Sequence, residues 1–394
     1  MDEGGEPVGQ QSGATRPRRA GGLAIRGLQV AVLALLLLSG AASAGGIRVG
    51  FVNPGRDGEF FWLMVSDTMQ AASRELGIDV DIRYTKRDYP RAMAITRDFL
   101  AEQPPLDYLV ATNDIGTGGE IIKLADRAGV PLILLSNDLD PADWAAYGEP
   151  RTKYRHWLGS IVPDHEGGGY EIAEMILSEA KRLKGARPLR LMALAGDAET
   201  PASNDRVHGL ERAIGVFQQL LGKPAVEQVG FEHLDWTDTG GYAWTRAMLP
   251  TAPRIDAVWA ANDPMAFGAL RALREAGYQP GKDVAVGGLN WSQGAIDRVL
   301  GGEMLLTHGG HFLGGAWVMV LIRDHRDGRD FAEEDVRLQF PMAAFTRPIA
   351  ARFPNIGSID WRRVDFTKFS KSRNPSIQRY AFTADAVLNQ LPSR

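Results

Sequence analysis

The sequence predicts an α/β protein built as two doubly wound parallel-sheet lobes joined by hinge crossings. Three observations carry that prediction. The chain has 394 residues, more than one ordinary core holds and enough for two lobes of ~150 residues each. From Ile47 onward short β-branched runs alternate with amphipathic stretches of helical period, the pattern of βαβ units. The runs around 107–113, 130–137, 189–196 and 257–261 are apolar on both faces, as strands are when helices cover both sides of a sheet.

Taken in order, the predicted strands are 47–54, 79–85, 107–113, 130–137, 157–164, 189–196, 225–232, 257–263, 283–290 and 304–310, with helices between nearly all of them. The lobes expected from this are 46–162 plus 308–338, and 163–307 plus 339–394. They are expected to hinge at strand-to-strand crossings near 160–164, 303–308 and 338–343. Past Pro341 the pattern loses regularity, and a basic, aromatic tail (361–380) is expected to pack over the second lobe.

Ahead of the first strand, Arg16, Arg18, Arg19 and Arg26 precede an apolar run from Leu28 to Leu38 and then Ala42-Ser43-Ala44. This reads as a secretory signal peptide over 1–44, cleaved near Ala44, because the apolar run is shorter than the ~20 residues a spanning helix needs. A soluble periplasmic protein is therefore expected. The absence of cysteine excludes a disulfide framework, a thiolate nucleophile and a lipid-bearing cysteine. The leader takes four Arg and three acids from the 44 basic and 48 acidic residues, leaving a net charge of −5 and no basic patch that would argue for nucleic acid. An apolar fraction of 44% with 23% charged residues excludes a disordered or membrane-embedded body.

Ligands of doubly wound sheets bind outside the carboxyl ends of the strands. The residues there are Asn53 with Phe60-Phe61-Trp62, Asn113-Asp114, Ser136-Asn137-Asp138, Asn204-Asp205-Arg206, Asn262-Asp263, Asn290-Trp291 and His308. Trp157 and Trp236 also lie near strand ends. Amides and aromatic faces hydrogen-bond hydroxyls and stack on C–H faces, which suits reversible capture of a polyol or a similar neutral molecule. No catalytic set, metal site or cofactor site is expected. The pairs His308/His311 and His165/Glu166 lack a third ligand, DIGTGGEI (114–121) lacks the dinucleotide-binding glycine spacing, and no G-x-S-x-G elbow is present.

Three segments carry a family resemblance: AANDPMAFGALRALREAGYQPGKDVAVGGLN (260–290), NPGRDGEFFWLMVSDTMQAASRELGIDV (53–80) and AGDAETPASNDRVHGLERAI (195–214). With the strand order, the chain from 47 to about 340 resembles the type I periplasmic binding proteins, the ribose and galactose binders whose fold recurs in the effector lobes of LacI-type repressors. The resemblance implies stacking by Phe60 and Phe61 and polar contacts from Asn113, Ser136, Asn137, Asn204, Asn262, Asn290 and His308. Arg206 either positions a loop or touches ligand, and Gly209, Gly268 and Ala269 either pack closely or touch ligand.

Ribose-type binders place Asp-Arg after the fourth strand, Asp after the ninth and Gln after the tenth. This chain has Ser136-Asn137, Asn290 and His308 there, so fewer charges are expected to face the cleft. The resemblance further implies a monomeric, non-enzymatic solute-binding protein that delivers a sugar-like ligand to the membrane permease of an ABC importer. The alternatives are a sensory subunit serving a membrane histidine kinase or chemoreceptor, and a periplasmic enzyme.

Overall fold

The computed structural model describes Met1 and residues 46–185, 188–221, 225–252 and 254–392. The expected leader, apart from Met1, lies outside them. From Ile47 the chain forms one compact unit, and it is α/β with two sheets, as the sequence predicts. The first sheet holds β1 (Ile47–Asn53), β2 (Ile78–Tyr84), β3 (Tyr108–Ala111), β4 (Leu132–Leu135), β5 (Trp157–Pro163) and β11 (Arg337–Phe340), in the order β11-β5-β4-β3-β1-β2 and all parallel.

The second sheet holds β6 (Leu189–Ala195), β7 (Val226–His233), β8 (Ala257–Ala260), β9 (Ala285–Leu289), β10 (Leu306–Gly309) and β12 (Ala343–Thr346), in the order β12-β10-β9-β8-β6-β7. Only β12 runs antiparallel to its neighbour. All ten predicted strands are present, most of them trimmed by a residue or more. The two four-residue edge strands, β11 and β12, were not predicted, because RLQF and AAFT are too short and too variably buried to carry a period.

The central strands β3, β4 and β8 are buried throughout, which accounts for their continuous apolar runs. On one face of the first sheet lie α1 (Phe60–Leu76) and, packed against it, α10 (Gly314–Arg326). On the other, α2 (Tyr89–Leu100) and α3 (Gly118–Ala128) bury Phe99, Ile121 and Ile122 together with Trp157. The second sheet is covered by α5 (His165–Lys184), with α6 (Pro201–Leu221) beside it, and by α8 (Asp263–Glu275), with α7 (Asp238–Met248) beside it. A Cβ on Gly209 would stand 2.0 Å from Glu166 O, and one on Gly268 would stand 2.2 Å from Asp238 O. Both glycines therefore serve close helix packing.

The chain passes between the sheets at Pro163–His165, at Gly310–Leu313 and at Pro341–Met342. The second passage follows β10 rather than preceding it, so the lobe limit read from the sequence at 307/308 falls inside a strand of the second sheet. The tail also departs from expectation. Residues 347–358 stay on the second sheet's side, with Gln293 bonded to Pro354 O and Gly357 N. From Trp361 the chain packs instead on α1 and α10 of the first lobe.

There Phe366 N donates to Glu75 (2.7 Å), Trp317 stacks on Phe382 (4.8 Å, 9°), and Trp361 lies 5.4 Å from Phe312. The fully buried Asp324 accepts from Ser370 Oγ, Lys371 N, Ser372 N and Tyr380 Oη. The tail thus forms a fourth passage between lobes, where strand crossings alone were expected. The apolar rings among its basic residues need a buried face, and α10 offers one around Trp317.

Candidate functional site

The carboxyl ends of all ten predicted strands converge on one cleft between the sheets. It offers about 60 Å³ to the centre of a water-sized sphere, several times the ~10–15 Å³ that one water requires. From the first sheet come Glu59, Phe61 and Trp62 beyond β1, Arg87 beyond β2, Asp114 beyond β3, Ser136 and Asn137 beyond β4, and His165 beyond β5. The second sheet supplies Thr200, Ala202 and Arg206 beyond β6, Trp236 beyond β7, Asn262 beyond β8, Asn290 beyond β9 and His311 beyond β10.

Of the residues proposed from sequence, Phe61, Ser136, Asn137, Arg206, Asn262 and Asn290 line this cleft. The other four lie elsewhere. Phe60 packs against the core. Asn113 closes a local turn, its Oδ1 accepting from Gly118 N and its Nδ2 donating to Asp138 O. Asn204 donates to Ala198 O within its own loop. His308 sits inside β10 with Nε2 2.8 Å from Glu171 Oε2 of α5; His311, three residues on and past the strand's end, lines the cleft instead. Trp157 is a core residue, and Trp291 is buried with its indole N–H on Ala343 O.

The cleft is more charged than the sequence reading held. Arg87 donates to Asp114 (2.5 Å) and to Glu59 (2.9 Å). Burial acts to lower the Arg87 guanidinium, but Asp114 and Glu59 together hold it above its ordinary value. Burial raises Asp114 against the attraction of Arg87, and Glu59 adds to the rise. Arg206 is buried and bonds no carboxylate among the described residues. Nη1 donates to Ala261 O (2.9 Å) and Nη2 meets His165 Nδ1 (3.2 Å). Burial pushes this guanidinium down to about 9, with Asp205 opposing.

The same burial, then the Arg206 charge, holds His165 well below its ordinary value. Neutral His165 accepts from Arg206 through Nδ1, so Nε2 is left to donate to Ser136 O at 3.1 Å. His311 is likewise held well below its ordinary value, by burial first and then by the Arg206 charge. It stacks on Phe61 at 4.3 Å and 18°.

Among the described residues two hydrogen bonds cross the cleft floor: from His165, which opens α5 on the second sheet, to Ser136 O, and from Ala202 N to Asn137 Oδ1 (3.3 Å). Asn262 spends both ends locally, Oδ1 capping α8 through Met265 N and Nδ2 donating to Trp236 O. Its amide therefore fixes the Trp236 loop. Among the described residues, eight buried polar atoms of the lining have no hydrogen-bond partner: Trp62 Nε1, Arg87 Nε, Asp114 Oδ2, Ser136 Oγ, Thr200 Oγ1, Arg206 Nε, Trp236 Nε1 and His311 Nδ1. Buried polar atoms are ordinarily bonded, so a concentration of exceptions in one cleft marks a ligand site.

Backbone strain points to the same place. Among the described residues eight non-glycine positions have positive φ, and four of them, Arg87, Ser136, Trp236 and Asn290, line the cleft.

Sequence reasoning missed Glu59, Arg87, Thr200 and Ala202 altogether, and it named His165 and His311 only in setting aside a metal site in favour of solvated or cleft-lining histidines. The strand-end rule pointed near all of these, but nothing in the residue types marked Arg87 or Glu59 as other than surface charges.

A model of the periplasmic binding protein domain matches residues 49–309. The chain is 26% identical over 249 residues to the ribose import binding protein of Salmonella typhimurium, covering 63% of this chain and 74% of that one. It is 23% identical over 271 residues to the galactofuranose-binding protein of Escherichia coli, covering 68% and 78%. The crystal structure of a periplasmic sugar-binding protein from Pseudomonas fluorescens matches with a TM-score of 0.77 and 30% identity, over 87% of this chain and 99% of that one. With its two largely parallel sheets and a cleft fed by the ends of ten strands, the chain belongs to the periplasmic binding protein family.

Proposed function

We propose that this chain is a periplasmic solute-binding protein that captures a small hydroxylated, sugar-like ligand between its lobes and delivers it to an ABC-type importer. The single observation that carries the reading is the set of eight unpartnered polar atoms, which calls for a ligand dense in hydrogen-bonding groups. Phe61, backed by His311, offers a ring face for the C–H side of a sugar. Relatives named as importing ribose and D-apiose and as binding galactofuranose support the ligand class and the import role.

The lobes close by bending at the three strand passages, and the closed form is what the permease receives. The ligand leaves unaltered, because the protein acts by binding alone, and the protein works as a monomer. Residues 1–44 act as the export leader. Protein recovered from the periplasm should then begin near Gly45 on N-terminal sequencing, whereas an intact N-terminus in that fraction counts against cleavage.

Isothermal titration against a panel of sugars, polyols and their acids tests the site. Phe61→Ala should weaken the tightest ligand by about tenfold or more, roughly 1.4 kcal/mol. Equal binding by a folded variant would refute the site.

A further inference from the structure

The eight unpartnered atoms divide four and four between the two walls of the cleft, but the charges beside them do not balance alike. On the second sheet's wall stands Arg206, 4% exposed. Its two hydrogen bonds go to a carbonyl and to a neutral imidazole, and its Nε has no partner. Neither group is a counter-charge. The acid whose field reaches it is its chain neighbour Asp205, which only partly offsets burial. Next to it Trp236 presents an unpartnered indole N–H, with its ring 5.7 Å from the guanidinium, and Thr200 presents an unpartnered hydroxyl.

The opposite wall is arranged the other way. Its guanidinium, Arg87, is already held between two carboxylates, and Asp114 Oδ2 is left as an acceptor without a donor. Both walls offer unpartnered N–H donors, Trp62 Nε1 and Arg87 Nε among them, but the Arg206 wall holds a guanidinium with no carboxylate partner among the described residues, whereas the opposite wall offers an anionic acceptor in Asp114.

A buried charge is ordinarily paired. A neutral hydroxyl approaching Arg206 would satisfy a donor and leave the charge unbalanced, whereas a carboxylate would do both, in the geometry guanidinium favours. A hydroxyl at the far end would donate to Asp114.

Resting on the reading of this cleft as a sugar-like ligand site, we propose that its ligand is a sugar acid of the aldonate or uronate type, bound with its carboxylate toward Arg206 and Trp236 and a hydroxyl toward Asp114. The carboxylate would set specificity and the hydroxyls would add affinity.

Titration calorimetry with matched pairs tests this: D-galacturonate against D-galactose, D-gluconate against D-glucose, D-xylonate against D-xylose. At least one acid should bind about tenfold or more tightly than its parent, with Arg206→Gln erasing the difference and Arg206→Lys keeping part of it. Thermal melts of each variant confirm folding. If Arg206→Gln does not fold, Arg206→Lys, in which the bidentate fork is lost, should still narrow the acid preference.

If a sugar binds and no acid exceeds its parent by about tenfold, the inference is overturned and the binding function stands. An acid preference unchanged in folded Arg206→Gln overturns the placement on Arg206. Failure of every acid and every sugar to bind overturns both this inference and the reading it rests on.

Discussion

Asp263 shows how a residue outside the cleft governs it. Fully buried, it accepts from Ser292 N (2.9 Å), Ser292 Oγ (2.8 Å) and Thr307 Oγ1 (2.7 Å), and so holds the loop that carries Asn290. Burial raises its carboxyl to about 6, against the pull of those three hydrogen bonds. The folded chain then binds this proton more tightly than the unfolded chain does. Its contribution to stability is greatest below the unfolded value near 4, falls as pH rises to about 6, and is level above. A shift of that size corresponds to about 3 kcal/mol. Asp263→Asn removes the slope, so urea midpoints of variant minus parent should rise between pH 4 and 6.5. A constant difference across that range would show that Asp263 does not titrate there.

At the scale of elements, the cleft depends on how helices start and how closely they pack. Asn262 caps α8 and anchors the Trp236 carbonyl, so Asn262→Ala should cost about 1–2 kcal/mol in chemical denaturation and should weaken ligand binding as the Trp236 loop loosens. Unchanged affinity would separate the cap from the site. Gly209 lets α6 lie against α5, and Arg206, one turn earlier, rides on that approach. Gly209→Ala should destabilise by about 1–3 kcal/mol and should reduce affinity even though residue 209 does not line the cleft.

Both cap and contact were readable in the sequence. A strand ending in Asn-Asp before a run of small residues is a helix start, and Gly209 and Gly268 were weighed there as close-packing residues. Edge strands β11 and β12 were not readable, since four residues at a sheet margin leave no periodic trace.

In the whole molecule the tail ties the lobes together. It leaves the second lobe after Gly357, crosses to Trp361 and Phe366, and is locked onto α10 by Asp324 and Trp317. Lys371, itself buried, pairs with Glu334 beside this anchor. Asp324→Ala leaves several buried donors unpaired and should cost about 3 kcal/mol or more. If the strap limits how far the lobes part, the ligand-free variant should show a larger radius of gyration in solution scattering, while the ligand-bound forms match. Identical ligand-free radii would show that the strap supports stability alone.

The sequence by itself determined the α/β class, ten strands in register with their helices, and six cleft residues: Phe61, Ser136, Asn137, Arg206, Asn262 and Asn290. The class and the strands follow from a local rule, the two-sided apolar run of a covered strand, whereas the six residues come from the strand-end rule taken together with the family resemblance. Only the tertiary structure decided that His311 rather than His308 faces the cleft, because His308 turns to Glu171 on the helix packed over β10. It also decided that, among the described residues, Arg87 has two carboxylate partners while Arg206 has none, and that the tail lies on the first lobe. Charge balance and long-range packing join residues far apart in the chain, as with Asp324 and Tyr380, and no spacing along the sequence records which of them will meet.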